Sequence, residues 1–306
     1  MSSGELSEEK EDYTFRGSTV ALDWDTGEEL WRVYMTEDDE TSGAGVSVWS
    51  TAAVDTERKR MFIGTGNTYE APASPRSDSV VAIDYMTGDV AWVKQFTEGD
   101  VYTILQPPPQ GPDADIGAAP NLFQIDGRDV VGVGDKGGVY AALDRDTGEE
   151  VWVRKVGPGS HLGGIMAAAA YNNGRIFLTT NLWPEGFDTM NLFVPNFNDP
   201  QNTSEAVALD ANTGEDIWRV PIASPTIGGT SYVNGIVFTG HTVGLMQAFD
   251  ASNGDLLWED QAGVTLASGQ SVSEGLLFVS YGFSFIGITG GAPGEEGGLR
   301  VYGLPD

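Results

Sequence analysis

The chain has 306 residues, of which 45 are acidic and 16 basic, giving a formal charge of −29. Such a surface repels nucleic acid and anionic membranes, and no basic cluster offsets it. There is no cysteine, which excludes disulfides, thiolate metal sites and the Cys-x-x-Cys-His attachment of a c-type haem, and no apolar run approaches the roughly 18 residues of a membrane span. Only five of the basic residues are Lys. Scarce Lys beside abundant Asp and Glu reads as salt adaptation, with hydrated carboxylates whose mutual repulsion is screened by counterions, the alternative being plain solubility. The 41 glycines and short apolar runs suit many brief strands joined by tight turns.

Taken in chain order, the opening MSSGELSEEK is polar and acidic, with no apolar stretch of the kind a signal peptide carries. One pattern then recurs five times: Ala, apolar, Asp, two variable residues, Thr or Asn, Gly, three residues, Trp. It reads ALDWDTGEELW at 21–31, AIDYMTGDVAW at 82–92, ALDRDTGEEVW at 142–152, ALDANTGEDIW at 208–218 and AFDASNGDLLW at 248–258. The intervals are 61, 60, 66 and 40 residues. In each copy the run before Asp is a strand, Thr-Gly closes a tight turn, and the run to Trp is the partner strand of a hairpin. Asp accepts the turn's backbone N–H groups. Trp31, Trp92, Trp152, Trp218 and Trp258 are expected to pack between neighbouring units.

Two further strands precede each hairpin: SVWSTAAV (47–54) and RMFIGTGN (60–67), then AAPNLFQI and DVVGVGD, IMAAAAY and RIFLTTN, TSYV and GIVFTG. Four strands per unit make a propeller blade. The fold class is therefore all-β, a β-propeller of four-stranded blades, with about five to six blades present. The 66-residue interval carries a Pro- and Asn-rich insertion, LWPEGFDTMNLFVPNFNDPQNTSE, expected to be a loop over one face. The first hairpin has little before it and the last repeat ends at GGLRVYGLPD. Residues 1–306 accordingly read as one propeller domain that is a portion of a longer one, truncated at its N-terminus and with incomplete blades at both ends.

The repeat resembles that of enzymes using pyrroloquinoline quinone (PQQ). Residues 13–181 are similar to quinoprotein alcohol dehydrogenases, nearest the polyvinyl-alcohol dehydrogenase branch. The similarity rests on YTFRGSTVALDWDTGEELWR, VWSTAAVDTERKRMFIGTGNTYEAPASPRSDSVVAID, GPDADIGAAP and VGPGSHLGGI. It implies an eight-bladed propeller holding the quinone and a Ca²⁺ or lanthanide ion in an axial funnel. It also implies hydride transfer from a primary or secondary alcohol, polymeric ones included. Electrons would pass to an external acceptor such as a cytochrome c, in a periplasmic or extracytoplasmic setting.

The resemblance assigns residues as follows. Trp49, outside the repeat's Trp position, becomes the flat floor beneath the quinone, the alternative being one more core Trp. Ser47 bonds a cofactor carboxylate. Asn67, ending IGTGN, offers an amide oxygen to a hard cation, the alternative being a turn-forming Asn. Glu5 occupies the place of a metal-binding Glu, but Glu8, Glu9 and Glu11 stand near and a solvated acidic tail fits as well. Asp115 in PDADIGAAP matches the catalytic base and a metal ligand, with Asp113 as competitor. The lanthanide branch carries an Asp two residues beyond the base, where this chain has Gly117, which favours Ca²⁺. Lys136 matches the cation that bonds the reactive quinone oxygens, and Asn181 bonds the cofactor from the opposite side. The absence of Cys departs from the vicinal disulfide common in the family. His161 and His241 fit no motif. The competing function is a non-catalytic propeller of the same repeat that binds proteins as an outer-membrane assembly scaffold does.

Overall fold

The computed structural model describes residues 13–36, 42–103, 110–182, 203–222, 224–282 and 297–303. Glu5 and nearly all of the insertion lie outside these residues. No helix occurs among the described residues, and none is long and apolar enough to cross a membrane.

The strands form antiparallel sheets in chain order. β1 (Ser18–Leu22) and β2 (Glu29–Tyr34) make a hairpin. β3 (Ala53–Asp55), β4 (Arg60–Gly64), β5 (Ser79–Asp84) and β6 (Val90–Gln95) make the first four-stranded blade. β7 (Asn121–Ile125), β8 (Arg128–Gly134), β9 (Val139–Asp144) and β10 (Glu150–Lys155) make the next. β11 (Ala170–Asn172), β12 (Arg175–Leu182), β13 (Thr203–Asp210) and β14 (Asp216–Ile222) follow, then β15 (Ser231–Val233), β16 (Ile236–Gly240), β17 (Leu245–Asp250) and β18 (Leu256–Gln261). β19 (Ser271–Ser273), β20 (Leu276–Tyr281) and β21 (Gly298–Gly303) form a three-stranded sheet. The chain divides into two compact units, Met1–Gly137 with Ala141–Val151, and Gly138–Tyr140 with Trp152–Asp306.

The repeat explains how the sheets are held. Its Asp carboxylate accepts backbone N–H groups two and three residues on, as Asp144 does from Asp146 and Thr147 (both 2.9 Å). Its Ala faces its Trp across the hairpin, Ala82 with Trp92 and Ala208 with Trp218, and the register shifts immediately afterwards. The first four Trp then dock on the next repeat. The indole Nε1–H of Trp31 donates to the Tyr85 carbonyl (3.1 Å), and that of Trp92 to Arg145 (3.2 Å). In the second unit Trp152 donates to Ala211 (2.9 Å) and Trp218 to Ala251 (3.0 Å). The ring lies on the repeat glycine, so a Cβ at Gly148 would meet Trp92 at 2.7 Å, while Gly148 also needs its φ of +76°. One glycine thus serves the turn and the packing between blades.

The core lies between successive sheets. In the first unit Phe62, Val80 and Ala82 pack against Val131, Val133, Ala141 and Leu143. In the second, Phe177, Ala206 and Ala208 pack with Trp218, Val237 and Phe249. Burying each such large side chain contributes about 1.5–3 kcal/mol.

Two expected strands are shorter than the pattern suggests. Of 47–54, only Ala53 and Val54 join the ladder, in β3, so Ser47 and Trp49 lie in a connecting segment. There the Val46 N–H donates to the Asn67 carbonyl and the Gly66 N–H to the Ser47 carbonyl (both 2.8 Å), which replaces strand pairing. Asn67 likewise lies three residues beyond β4. At the insertion, Leu182 and Thr203–Glu205 are strand rather than loop, paired as Leu182 with Thr203.

Candidate functional site

The first unit gathers four connecting segments: 46–49 before β3, 65–68 after β4, 111–117 before β7 and 135–137 after β8. Backbone bonds lock them together. Ile116 N–H donates to the Thr65 carbonyl and Lys136 N–H to the Asp115 carbonyl, both at 3.0 Å. Asp100, fully buried, holds the third segment through its carboxylate, which accepts the N–H groups of Ala114 (2.8 Å) and Asp113 (3.4 Å).

The polar side chains on these segments converge. Lys136 Nζ lies 3.0 Å from both carboxylate oxygens of Asp113 and 2.7 Å from Asp115 Oδ2. Asp115 Oδ1 accepts the Asn67 backbone N–H at 2.8 Å. The Asn67 amide nitrogen donates to the carbonyls of Thr68 (2.9 Å) and Tyr102 (2.6 Å). Its amide oxygen accepts no hydrogen bond among the described residues. Lys136 Nζ stands 5.6 Å from the centroid of the Trp49 ring, within reach of a cation–π attraction. Gly117 abuts the tip of that ring so closely that a Cβ there would sit 2.0 Å from it. Gly66 separates Ser47 Oγ from Asp115 Oδ1, at 3.2 and 3.0 Å from its ideal Cβ position. Ser47, Trp49, Asn67, Asp113, Asp115 and Lys136 are therefore one cluster, although 89 positions of sequence separate its ends.

Its electrostatics are those of a buried acid group. Burial pulls the Lys136 ammonium down, but the carboxylates of Asp113 and Asp115 outweigh it, and the net direction is up. Lys136 stays protonated. Burial raises Asp100 against the lowering effect of its N–H donors. Asp78, fully buried at φ +49°, has no hydrogen bond to either carboxylate oxygen among the described residues. Burial, then the charges of Asp100 and Asp115, push it to about 10, so it is a neutral acid. Neither Asp78 nor Asp100 stands out in the sequence. An Asp before the apolar run SVVAID reads as turn chemistry, and Asp100 lies in no motif.

Asn181 belongs to the second unit. Its Nδ2 donates to the carbonyls of Thr226 (2.9 Å) and Leu162 (3.3 Å), and its Oδ1 accepts from Thr226 N–H (3.0 Å) and Ser204 Oγ (2.9 Å). All hydrogen-bonding positions of the amide are taken in joining these segments. His241, also in this unit, is fully buried between Thr239 Oγ1 (3.2 Å) and the Ser224 carbonyl (3.1 Å), and burial lowers it to about 4.

The first-unit cluster suits a planar quinone and a hard cation in three respects. Two carboxylates face one ammonium, leaving negative charge to balance. The Asn67 amide oxygen is an open neutral ligand. Trp49 offers a partly exposed aromatic ring beside a cation. Among the described residues no three His, Cys, Asp or Glu side chains form a metal site.

Residues 3–158 match the family of the glucose/ethanol/alcohol dehydrogenase β-propeller domain, and residues 202–290 match the repeat of the outer membrane protein assembly factor BamB. The chain is 30% identical to a polyvinylalcohol dehydrogenase of Sphingopyxis sp., over 94% of this chain and 50% of the relative. It is 29% identical to another from Pseudomonas sp., over 88% and 48% respectively. The chain thus spans about half the length of the curated relatives it matches. A quinohemoprotein alcohol dehydrogenase from Pseudomonas putida superposes with a TM-score of 0.68 at 19% identity, over 88% of this chain and 52% of that one. A europium-containing methanol dehydrogenase does so at 0.67 and 17%, over 87% and 61%. These likenesses establish the fold as a β-propeller. With just over half its length matched by that family's model, the chain belongs to the glucose/ethanol/alcohol dehydrogenase β-propeller family.

Proposed function

We propose that this chain carries quinone- and metal-binding residues of a PQQ-dependent alcohol dehydrogenase that works outside the cytoplasm. The observation that carries the reading is the convergence of Lys136, Asp115, Asn67 and Trp49 from four separate connecting segments, a constellation for which a protein-binding scaffold has no use. PQQ, when bound, accepts the hydride equivalent leaving the alcohol carbon, and Ca²⁺ supplies Lewis-acid polarisation. Asp115 is the base: its carboxylate takes the proton of the alcohol hydroxyl. Lys136 holds Asp115 in place and presents an ammonium where negative charge develops. Asn67 Oδ1 and Asp115 hold the metal, with Glu5 a further candidate ligand outside the described residues. Trp49 orients the planar ring, and Ser47 Oγ lies where it can donate to a carboxylate. Gly117 favours Ca²⁺ over a lanthanide, because a side chain bearing an extra carboxylate there would displace Trp49. The substrates are primary or secondary alcohols, with polymeric vinyl alcohol suggested by the relatives' names. Electrons leave to an acceptor such as a cytochrome c; with no Cys in these 306 residues to attach a c-type haem, the carrier is a separate molecule or a segment outside them.

Asp115→Asn tests the base role. In the complete protein, dye-linked alcohol oxidation should fall by about 10²–10⁴-fold, while quinone binding, followed by tryptophan quenching, stays within a few-fold of wild type. Activity retained in this variant removes Asp115 from the chemistry. Asn67→Ala should weaken the response to Ca²⁺ and recover with excess ion. The match of residues 202–290 to the assembly-factor repeat favours a second reading, a protein-binding scaffold. Complete protein that neither takes up quinone nor oxidises alcohols would leave that reading standing.

A further inference from the structure

The second unit contains a cleft of about 550 Å³, within the range of small-molecule sites, at the turn ends of β11–β12, β15–β16 and β17–β18. The corresponding place in the first unit is filled. There Arg60 Nη1 donates to the Asp146 carbonyl (3.0 Å), as Arg175 Nη1 donates to that of Ala251 (2.9 Å) in the second. Arg145, the residue after the repeat Asp, turns its guanidinium inward to Asp55 (2.9 Å) and to the carbonyls of Phe123 (3.1 Å) and Val130 (3.2 Å). Arg58 completes the plug with Asp55, Asp129 and Asp146. In the second unit the residue after the repeat Asp is Ala251. The turn there, Asn172 to Arg175, is also two residues shorter than Asp55 to Arg60. Both fillers are gone, and the cleft is the space they leave.

What lines it has a definite chemistry. The side-chain amides of Asn172, Asn173 and Asn234 and the Tyr232 hydroxyl make no hydrogen bond to a described residue. Tyr232 stacks on Phe177 with ring centroids 5.4 Å apart and 7° between planes. Arg175 and Asp250 bring one charge of each sign. Amides and a phenol both donate and accept, which matches hydroxyl groups, and the aromatic pair matches their C–H framework.

We propose that this cleft binds a neutral, hydroxyl-rich ligand, a saccharide or a stretch of vinyl-alcohol polymer. This goes beyond the dehydrogenase reading and does not depend on it, since every residue involved lies outside the Asp113–Asp115–Lys136 cluster.

The test is calorimetric titration of the full chain with maltotriose and, separately, with a short poly(vinyl alcohol) oligomer. At least one should bind, and which one does identifies the source of the hydroxyls. Ala251→Arg restores the plug that Arg145 forms and should weaken binding by at least about ten-fold. Tyr232→Phe removes one hydrogen-bonding group and should weaken it by about five-fold with the thermal melt unchanged, which keeps the test valid if the arginine disturbs the fold. Failure of both probes to bind, or binding that both variants leave intact, overturns the proposal. Preference for a sulfated saccharide over maltotriose overturns the neutral chemistry.

Discussion

Gly148 and Gly27 occupy the same place in the repeat, with φ of +76° and +75°, but only Gly148 carries a tryptophan. A Cβ at Gly148 would meet Trp92 at 2.7 and 2.8 Å, whereas one at Gly27 meets nothing within 4 Å. Alanine at either site incurs the left-handed backbone strain of about 1 kcal/mol. At Gly148 the indole must also move, weakening its bond to the Arg145 carbonyl by about 1 kcal/mol. Its packing on Phe62, centroids 5.7 Å apart, is loosened by about another 1 kcal/mol. Gly148→Ala should therefore lose about 3 kcal/mol and Gly27→Ala about 1, a difference read from urea midpoints at constant m-value. Equal losses, within about 0.5 kcal/mol, would refute the claim that this glycine is a docking surface as well as a turn residue.

Three further outcomes are expected. Thermal stability should rise as KCl goes from about 0.1 M to molar levels, because screening relieves repulsion among the surplus carboxylates; a flat or falling melting temperature counts against salt adaptation. His241 is held neutral, its pKa lowered by burial from 6.5 to about 4, so the folded state refuses a proton that the unfolded chain accepts. Its stabilising contribution is complete above pH 6.5 and drains away as pH falls to 4, by about 3 kcal/mol, and His241→Gln should flatten that part of the stability curve. Asp78 is opposite in sign: with its pKa raised by burial to about 10, it weakens the fold increasingly as pH rises from 3.8 toward 10. Asp78→Asn should raise the melting temperature at pH 8 and leave it nearly unchanged at pH 4.

The blades were legible because their causes are local. Asp, Gly and Trp at fixed spacing specify a hairpin and its neighbour, and the structure uses each residue in that way. Strand lengths at the inner edge were less legible. Alternation in SVWSTAAV satisfies a strand, yet Val46 and Ser47 bond to the 66–67 segment, a non-local competitor that no period reveals. Among the cluster residues, Asp115, Lys136, Trp49 and Asn67 stand in recognisable motifs. Asp78 and Asp100 do not, because their significance is burial beside other carboxylates, which only tertiary structure creates. Asn181 shows the converse. Its position at a strand end invites a cofactor role, while its amide is fully engaged in bonds to Thr226, Leu162 and Ser204.

The distribution of these residues separates stability from chemistry. The repeat residues sit in ladders and turns, and their loss opens the packing between blades. The cluster residues sit on segments that leave the ladders and are fixed instead by a few backbone bonds, Lys136 to Asp115, Ile116 to Thr65 and Gly66 to Ser47. Those bonds use main-chain atoms, and side chains add to them: the Asp115 carboxylate accepts the Asn67 backbone N–H and the Asn67 amide donates to the Thr68 and Tyr102 carbonyls. Replacing Asp115 or Asn67 removes bonds within these connecting segments but none from a strand ladder, so the blades keep their pairing while the site varies. Asp100 acts in the same way from outside the cluster, since its side chain bonds the main chain at Asp113 and Ala114. It positions the loop that carries Asp113 and Asp115 through geometry alone, by holding the main chain on which both carboxylates stand.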